Sequence, residues 1–262
     1  MSRFVCIGFA MALVLSACGD SSEHGAEITA SSITGSGDNG SVVDNGGDVF
    51  EVMVVELTDG SYVCSPSGQG LFPGVLYNHG GLGTAIGGDL KGTCQALAEA
   101  GFLARSEKRP ETVPLVGHLD EVLAGLDMLR SHAKIDPSRV GIMGFSRGGL
   151  LTLQAAIARP NDVHAILILA PASGRGGLRQ ALENALPISA PLSIHVSEND
   201  LLRANHVQLS RDVENALREI GKDVELTIYP PFGEDGHRLF FEVRDPYWSD
   251  VIAFLDTTIG SL

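Results

Sequence analysis

The run Gly144-Phe145-Ser146-Arg147-Gly148-Gly149 constrains this chain more than any other stretch. The apolar segment Val140-Gly141-Ile142-Met143 precedes it, and Leu150, Leu151 and Leu153 follow. The first reads as a short buried strand and the second as the inner face of a helix. A strand that becomes a helix within so few residues forces Ser146 into a strained conformation. Side chains at 144 and 148 would collide with the turn, so glycine is needed at both. The serine hydroxyl then projects above the end of a sheet, at a helix N-terminus that favours negative charge. Composition alone would give a Gly-x-Ser-x-Gly pentapeptide in roughly one such Gly-rich chain in four. The strand before it and the helix after it carry the weight, and they make Ser146 a candidate nucleophile.

The rest of the pattern agrees with such a turn. From Val49 onward, short apolar runs alternate with amphipathic stretches. Val49–Leu57 and Ser61–Cys64 are predicted to form a β-ribbon around Asp59-Gly60. Further strands are predicted at Gly74–Asn78, Phe102–Ser106, Arg139–Gly144, Ala165–Ala170, Leu192–Val196 and Val224–Tyr229. Helices are predicted at Asp89–Ala100, His118–His132, Arg147–Arg159, Arg203–Ile220 and Tyr247–Thr257. This alternation demands an α/β fold with a mostly parallel sheet covered by helices on both faces. The longest insertion, Pro171 to Ala190, reads as a loop, so no large cap domain is expected. With 262 residues, 44% of them hydrophobic, residues 49–262 can build one sizeable domain.

The N-terminal segment reads differently. Arg3 precedes an apolar run from Phe4 to Leu15, too short to span a bilayer, so residues 1–17 read as a signal peptide. The run ends in Leu15-Ser16-Ala17-Cys18, which resembles the bacterial lipobox, and the resemblance implies a lipid on the Cys18 sulfur. An ordinary secretory signal cut after Ala17 is the alternative. Residues 18–48 are rich in Gly, Ser, Asp and Asn and cannot bury a core, so they read as a tether. As a flexible coil this stretch would reach roughly 30 Å. The expected location is an exported, membrane-anchored lipoprotein of the bacterial periplasm or cell surface. Cys64 and Cys94 would then sit in an oxidising compartment, as a disulfide or as incidental thiols, and neither spacing suggests a metal site. A formal net charge of −14 argues against nucleic-acid binding.

Three motifs give the chain a resemblance to the α/β-hydrolase superfamily, within its dienelactone hydrolase-like branch. They are Tyr77-Asn78-His79-Gly80-Gly81, Ile135-Asp136-Pro137-Ser138-Arg139-Val140-Gly141 leading to the elbow, and Gly233-Glu234-Asp235-Gly236-His237. Dienelactone hydrolases proper use Cys where this chain has Ser146. The resemblance implies a triad in the order serine, acid, histidine. His237 follows the last predicted strand and is the expected base. Asp200, after the penultimate strand, is the expected acid, with Glu198 as the fallback. The backbone N–H of Arg147 and, by resemblance, that of Gly81 are the expected oxyanion donors, with Gly80 close behind. His79 is expected to brace its turn and His195 to be packed in the sheet. His118, His132, His164 and His206 receive no role. Arg105, Lys108, Arg109, Arg175 and Arg179 are candidates to line the site.

The implied function is a serine esterase that acts on a small-molecule ester and needs no metal or cofactor. A serine peptidase resembling the prolyl-oligopeptidase catalytic domain, and a non-catalytic surface-binding lipoprotein, remain as alternatives. The expected membrane contact is the lipid on Cys18, and no protein partner follows from the sequence. Replacing Cys18 by Ser should abolish incorporation of labelled acyl chains and leave the protein unprocessed or released. Recovery of a soluble, unlipidated wild-type chain beginning at Cys18 would contradict the lipobox.

Overall fold

The computed structural model describes residues 51–81, 85–110, 117–201 and 203–260. The signal segment, Cys18 and the tether lie outside the described residues. Among the described residues, no helix is long and apolar enough to cross a membrane. Eight strands form one sheet: β1 (Val52–Glu56), β2 (Tyr62–Pro66), β3 (Phe72–Asn78), β4 (Leu103–Glu107), β5 (Ile135–Phe145), β6 (Ala165–Leu169), β7 (Leu192–Ser197) and β8 (Val224–Tyr229). Their spatial order is β1-β2-β4-β3-β5-β6-β7-β8. β1 and β2 form the antiparallel ribbon, β2 joins β4 antiparallel, and every pairing from β4 to β8 is parallel.

Successive residues of the parallel strands feed opposite cores, because side chains alternate across a pleated strand. Leu76, Ile142, Ile166 and Ile168 pack on one face with residues of α2 (His118–Arg130), α3 (Arg147–Ala158), α4 (Gly177–Glu183) and α5 (His206–Glu219). Val75, Tyr77, Met143, Leu167 and Leu169 pack on the other with residues of α1 (Leu90–Glu99) and α6 (Tyr247–Ile259). Covered on both faces, the central strands are continuously apolar, and that is how they read in the sequence.

Three elements depart from the sequence reading. β5 starts at Ile135, because Phe72 pairs with Ile135 and Gly74 with Val140. The shift in register absorbs Asp136-Pro137-Ser138, where Pro137 has no N–H to give the ladder. The helix predicted from Arg203 begins at His206, capped by Asn205, whose Oδ1 accepts the Gln208 N–H at 2.8 Å. The insertion Pro171–Ala190 is not all loop, since it contains α4, whose Leu178 and Ala181 are buried. Gly174, Gly176 and Gly177 hide that helix by lowering the local propensity.

His195 lies in the sheet as expected, fully buried. Its ring joins Ser193 Oγ to Nε2 at 2.9 Å and Nδ1 to the Tyr229 hydroxyl at 2.7 Å. Tyr229 donates onward to Asp250 at 2.7 Å, so Nδ1 must donate to Tyr229 and Ser193 must donate to Nε2. A Cys64–Cys94 disulfide joins β2 to α1, with the Cα atoms 5.6 Å apart, and decides between the two readings of that pair. The link spans a sequence separation of 30 residues, and a loop of that length stabilises by about 3–4 kcal/mol in the chain-entropy account. Urea unfolding with and without dithiothreitol should differ by about that amount. An unchanged midpoint on reduction would mean that the link contributes nothing.

Candidate active site

The parallel strands β3, β5, β6, β7 and β8 end at one edge of the sheet, and the chemistry-bearing residues gather there. β5 delivers Ser146 with φ 55° and ψ −114°, a left-handed conformation that few non-glycine residues adopt. The crowding that imposes it is explicit. A Cβ on Gly144 would stand 2.2 Å from the Gly148 carbonyl oxygen, and one on Gly148 would stand 1.9 Å from that of Asn78. The serine backbone is held on both sides: its N–H donates to Leu169 O at 2.7 Å, and its carbonyl accepts from Ala172 N at 3.0 Å. Asn78, at the end of β3, is tied to α3 through Thr152 Oγ1 at 3.0 Å.

The expected acid and base come from the loops after β7 and β8. Asp200 is 1% exposed, and its Oδ2 lies 2.8 Å from His237 Nδ1. Glu198 is exposed, and its N–H pairs with Tyr229 O, so the fallback acid is set aside. Two residues that sequence reasoning missed hold these loops together. Asn199 Oδ1 accepts the Phe232 N–H at 2.8 Å, and its Nδ2 donates to Gly233 O at 3.0 Å. Gly236 makes the approach possible, since a Cβ there would meet Asn199 Oδ1 at 2.5 Å and Asp200 N at 2.7 Å. Asp235 caps the short 3₁₀ turn at Gly236–Phe241 by accepting the His237 N–H at 3.1 Å. It therefore orients the base through its backbone.

The His237 ring rests on Phe145, the neighbour of Ser146, with centroids 4.6 Å apart. Among the described residues no hydrogen bond joins Ser146 Oγ to His237, a contact that commonly tightens only when substrate arrives. His206, given no role from sequence, packs its ring 4.4 Å from that of His237. Its position six residues past Asp200 was visible in the chain, but nothing in the pattern said that the start of α5 would turn it toward His237.

The expected oxyanion donors are the backbone N–H groups of Arg147 and Gly81. The Arg147 N–H is at the first turn of α3, where no intrahelical partner exists. Gly80 N–H is committed to Gly87 O at 2.7 Å, so Gly80 is not the free donor of the pair. Gly81 has φ 94°, and a Cβ there would stand 1.9 Å from Ala85 O. His79 braces this turn, since its ring lies 2.5 Å from Gly80 O and its Nε2 accepts the Arg109 N–H at 3.2 Å. Burial, with Arg109 alongside, pushes the His79 pKa down to about 3, so the ring is neutral.

The predicted basic lining is not what the structure builds. Arg109 is buried, and its Nη2 donates to the carbonyls of His79 and Gly80. Arg105 is paired with Glu107 at 2.7 Å. Lys108 extends along Gly60 of the β1–β2 turn. Arg175 and Arg179 line a groove of about 490 Å³ whose walls contain none of Ser146, Asp200 or His237. Arg105 and Arg109 are taken up by partners close at hand, which charge counting along the sequence could not reveal.

Comparison with known proteins agrees with this fold. Acyl-coenzyme A thioesterase 3 of Mus musculus is 29% identical over 128 residues, which are 47% of this chain and 28% of that protein. The chain thus spans well under two thirds of that relative. Esterase B from Lactobacillus Rhamnosis superposes with a TM-score of 0.62 at 14% identity, over 80% of this chain and 86% of its own. An acylaminoacyl peptidase from Pyrococcus horikoshii superposes with a TM-score of 0.63 at 18% identity, over 82% of this chain and 42% of its own. A fungal esterase from Rhizomucor miehei gives 0.60 at 16% identity, over 80% and 84%. These similarities establish the α/β-hydrolase fold. The description "Dienelactone hydrolase family" matches residues 110–251, just over half of the chain and including Ser146, Asp200 and His237, and the chain belongs to that family.

Proposed function

We propose that this protein is a serine hydrolase that cleaves carboxylic esters through Ser146, His237 and Asp200 and an acyl-enzyme on Ser146. The observation that carries the reading is the 2.8 Å contact between His237 Nδ1 and the buried Asp200, made on a ring that rests on Phe145, the residue before the strained Ser146. In this mechanism His237 Nε2 takes the Ser146 proton as Oγ attacks the ester carbonyl carbon. Asp200 holds Nδ1–H and offsets the charge of the imidazolium. The carbonyl oxygen, now anionic, accepts from the backbone N–H groups of Arg147 and Gly81. Collapse of the tetrahedral species breaks the ester C–O bond, and His237 returns its proton to the alcohol. Water repeats the sequence on the acyl-enzyme and releases the acid.

The preferred substrate is a small or medium acyl ester bound in an open site. Phe241 is 39% exposed and stands 6.4 Å from the His237 ring, where it offers an apolar surface to an acyl group. The insertion after β6 contributes a single short helix, which does not enclose a long chain. A lipid on Cys18 would hold the enzyme at a membrane, and the Cys64–Cys94 disulfide suits an oxidising compartment.

Ser146→Ala should abolish fluorophosphonate labelling and lower p-nitrophenyl acetate turnover by ~10³-fold or more. Asp200→Asn should be far more damaging than Glu198→Gln. A panel of p-nitrophenyl esters from acetate to palmitate, an acyl-coenzyme A thioester and a dipeptidyl anilide then sets the substrate class. Full labelling of Ser146→Ala would overturn the nucleophile, and faster anilide than ester cleavage would make the protein a peptidase.

A further inference from the structure

Beside the proposed base lies a nitrogen donor, His206, that the hydrolysis does not use. His206 is 7% exposed, and its Nδ1 faces the Pro171 carbonyl at 3.0 Å. A carbonyl oxygen only accepts, so Nδ1 carries the proton of the neutral ring and Nε2 presents a lone pair. That lone pair faces Asp200 Oδ1 across 4.0 Å, two acceptors opposed with a gap between them. The other carboxylate oxygen of Asp200 holds His237 Nδ1 at 2.8 Å.

We infer that Asp200, His206 and His237 form a site for a divalent transition-metal ion of the zinc type, and that its occupation switches the hydrolase off. One nitrogen or oxygen from each residue lies within 4.8 Å of the other two. Tetrahedral Zn²⁺ with bonds of about 2.1 Å sets its ligands about 3.4 Å apart, within the span these atoms cover. Two imidazoles and one carboxylate select Zn²⁺ or Co²⁺ over Mg²⁺ and Ca²⁺, which require more oxygen ligands. A fourth position is left for water.

The consequence for the base follows from proton bookkeeping. Without metal, the His237 proton sits on Nδ1 and Nε2 is free to accept from Ser146. When Nδ1 gives its lone pair to the ion, the proton passes to Nε2 and the ring stays neutral. Nε2 is then a donor and cannot take the serine proton, and Asp200 is spent on the metal. The metal site stands on geometry alone, whereas the inhibition rests on the proposed triad.

The test separates the two. The Ser146→Ala protein, which has no turnover to confuse the readout, is titrated with Co²⁺ and followed by visible absorption. One equivalent should give the intense bands of a tetrahedral site, and millimolar Mg²⁺ should not compete. Adding His206→Asn should weaken Co²⁺ by about tenfold or more. If that variant fails to fold, His237→Ala, at a partly exposed position, removes a second donor for the same comparison. In the unsubstituted enzyme, Zn²⁺ should block ester turnover and EDTA should restore it. Absence of the tetrahedral bands, or Co²⁺ binding unchanged by both substitutions, overturns the site. Tight Co²⁺ binding with turnover insensitive to Zn²⁺ overturns the switch. A protein with the bands but no esterase activity at all would instead count against the proposed function.

Discussion

Everything at the carboxyl edge of the sheet depends on how closely α3 is brought against the ends of β3 and β5. Gly148 lies so near the Asn78 carbonyl that one added carbon would overlap it, and Gly144 is equally confined by the Gly148 carbonyl. That contact compresses the link between strand and helix into a single residue, and Ser146 absorbs the strain. Such strain costs about 1–3 kcal/mol and persists only where the surroundings leave no alternative. Here they do not: backbone hydrogen bonds to Leu169 and from Ala172 clamp the serine from both sides. The same closeness starts α3 at Arg147, directly after Ser146, so the proposed nucleophile and the proposed oxyanion donor come from one packing decision.

A second constraint is electrostatic. Asp200 is almost fully buried, and a buried carboxylate is tolerated only when it is paired. Its partner, His237, arrives on a loop that could not come so close with any residue but glycine at 236. The Asn199 amide fixes the spacing between the two loops. The same arrangement leaves Asp200 with a second oxygen facing His206, so the device that orients the base also creates a place for a competing cation.

The legible part of this architecture was the part written in local pattern. Apolar runs such as Val140–Met143 and Ala165–Ala170 mark the strands, and glycines at 144 and 148 mark the elbow. Asp200 and His237 were legible from chain order once the family resemblance was in view. The obscured features depend on contacts between distant segments. α4 is masked by its own glycines and exists because Leu178 and Ala181 find a core. Arg109 reads as a surface cation, yet it is consumed by the carbonyls of His79 and Gly80, thirty residues away in sequence. His206 is an ordinary helix residue until α5 packs it onto His237. The Cys64–Cys94 link required the register of β2 against α1.

The central claim is that the strained Ser146 carries the acyl group. Acid quench during turnover of p-nitrophenyl acetate, followed by proteolysis and mass spectrometry, reads this directly. The account predicts one acetyl group on the peptide containing Ser146, gained in the first turnover and lost on standing with water. Acetylation confined to another residue, or steady turnover with no acylated peptide at any quench time, would contradict it.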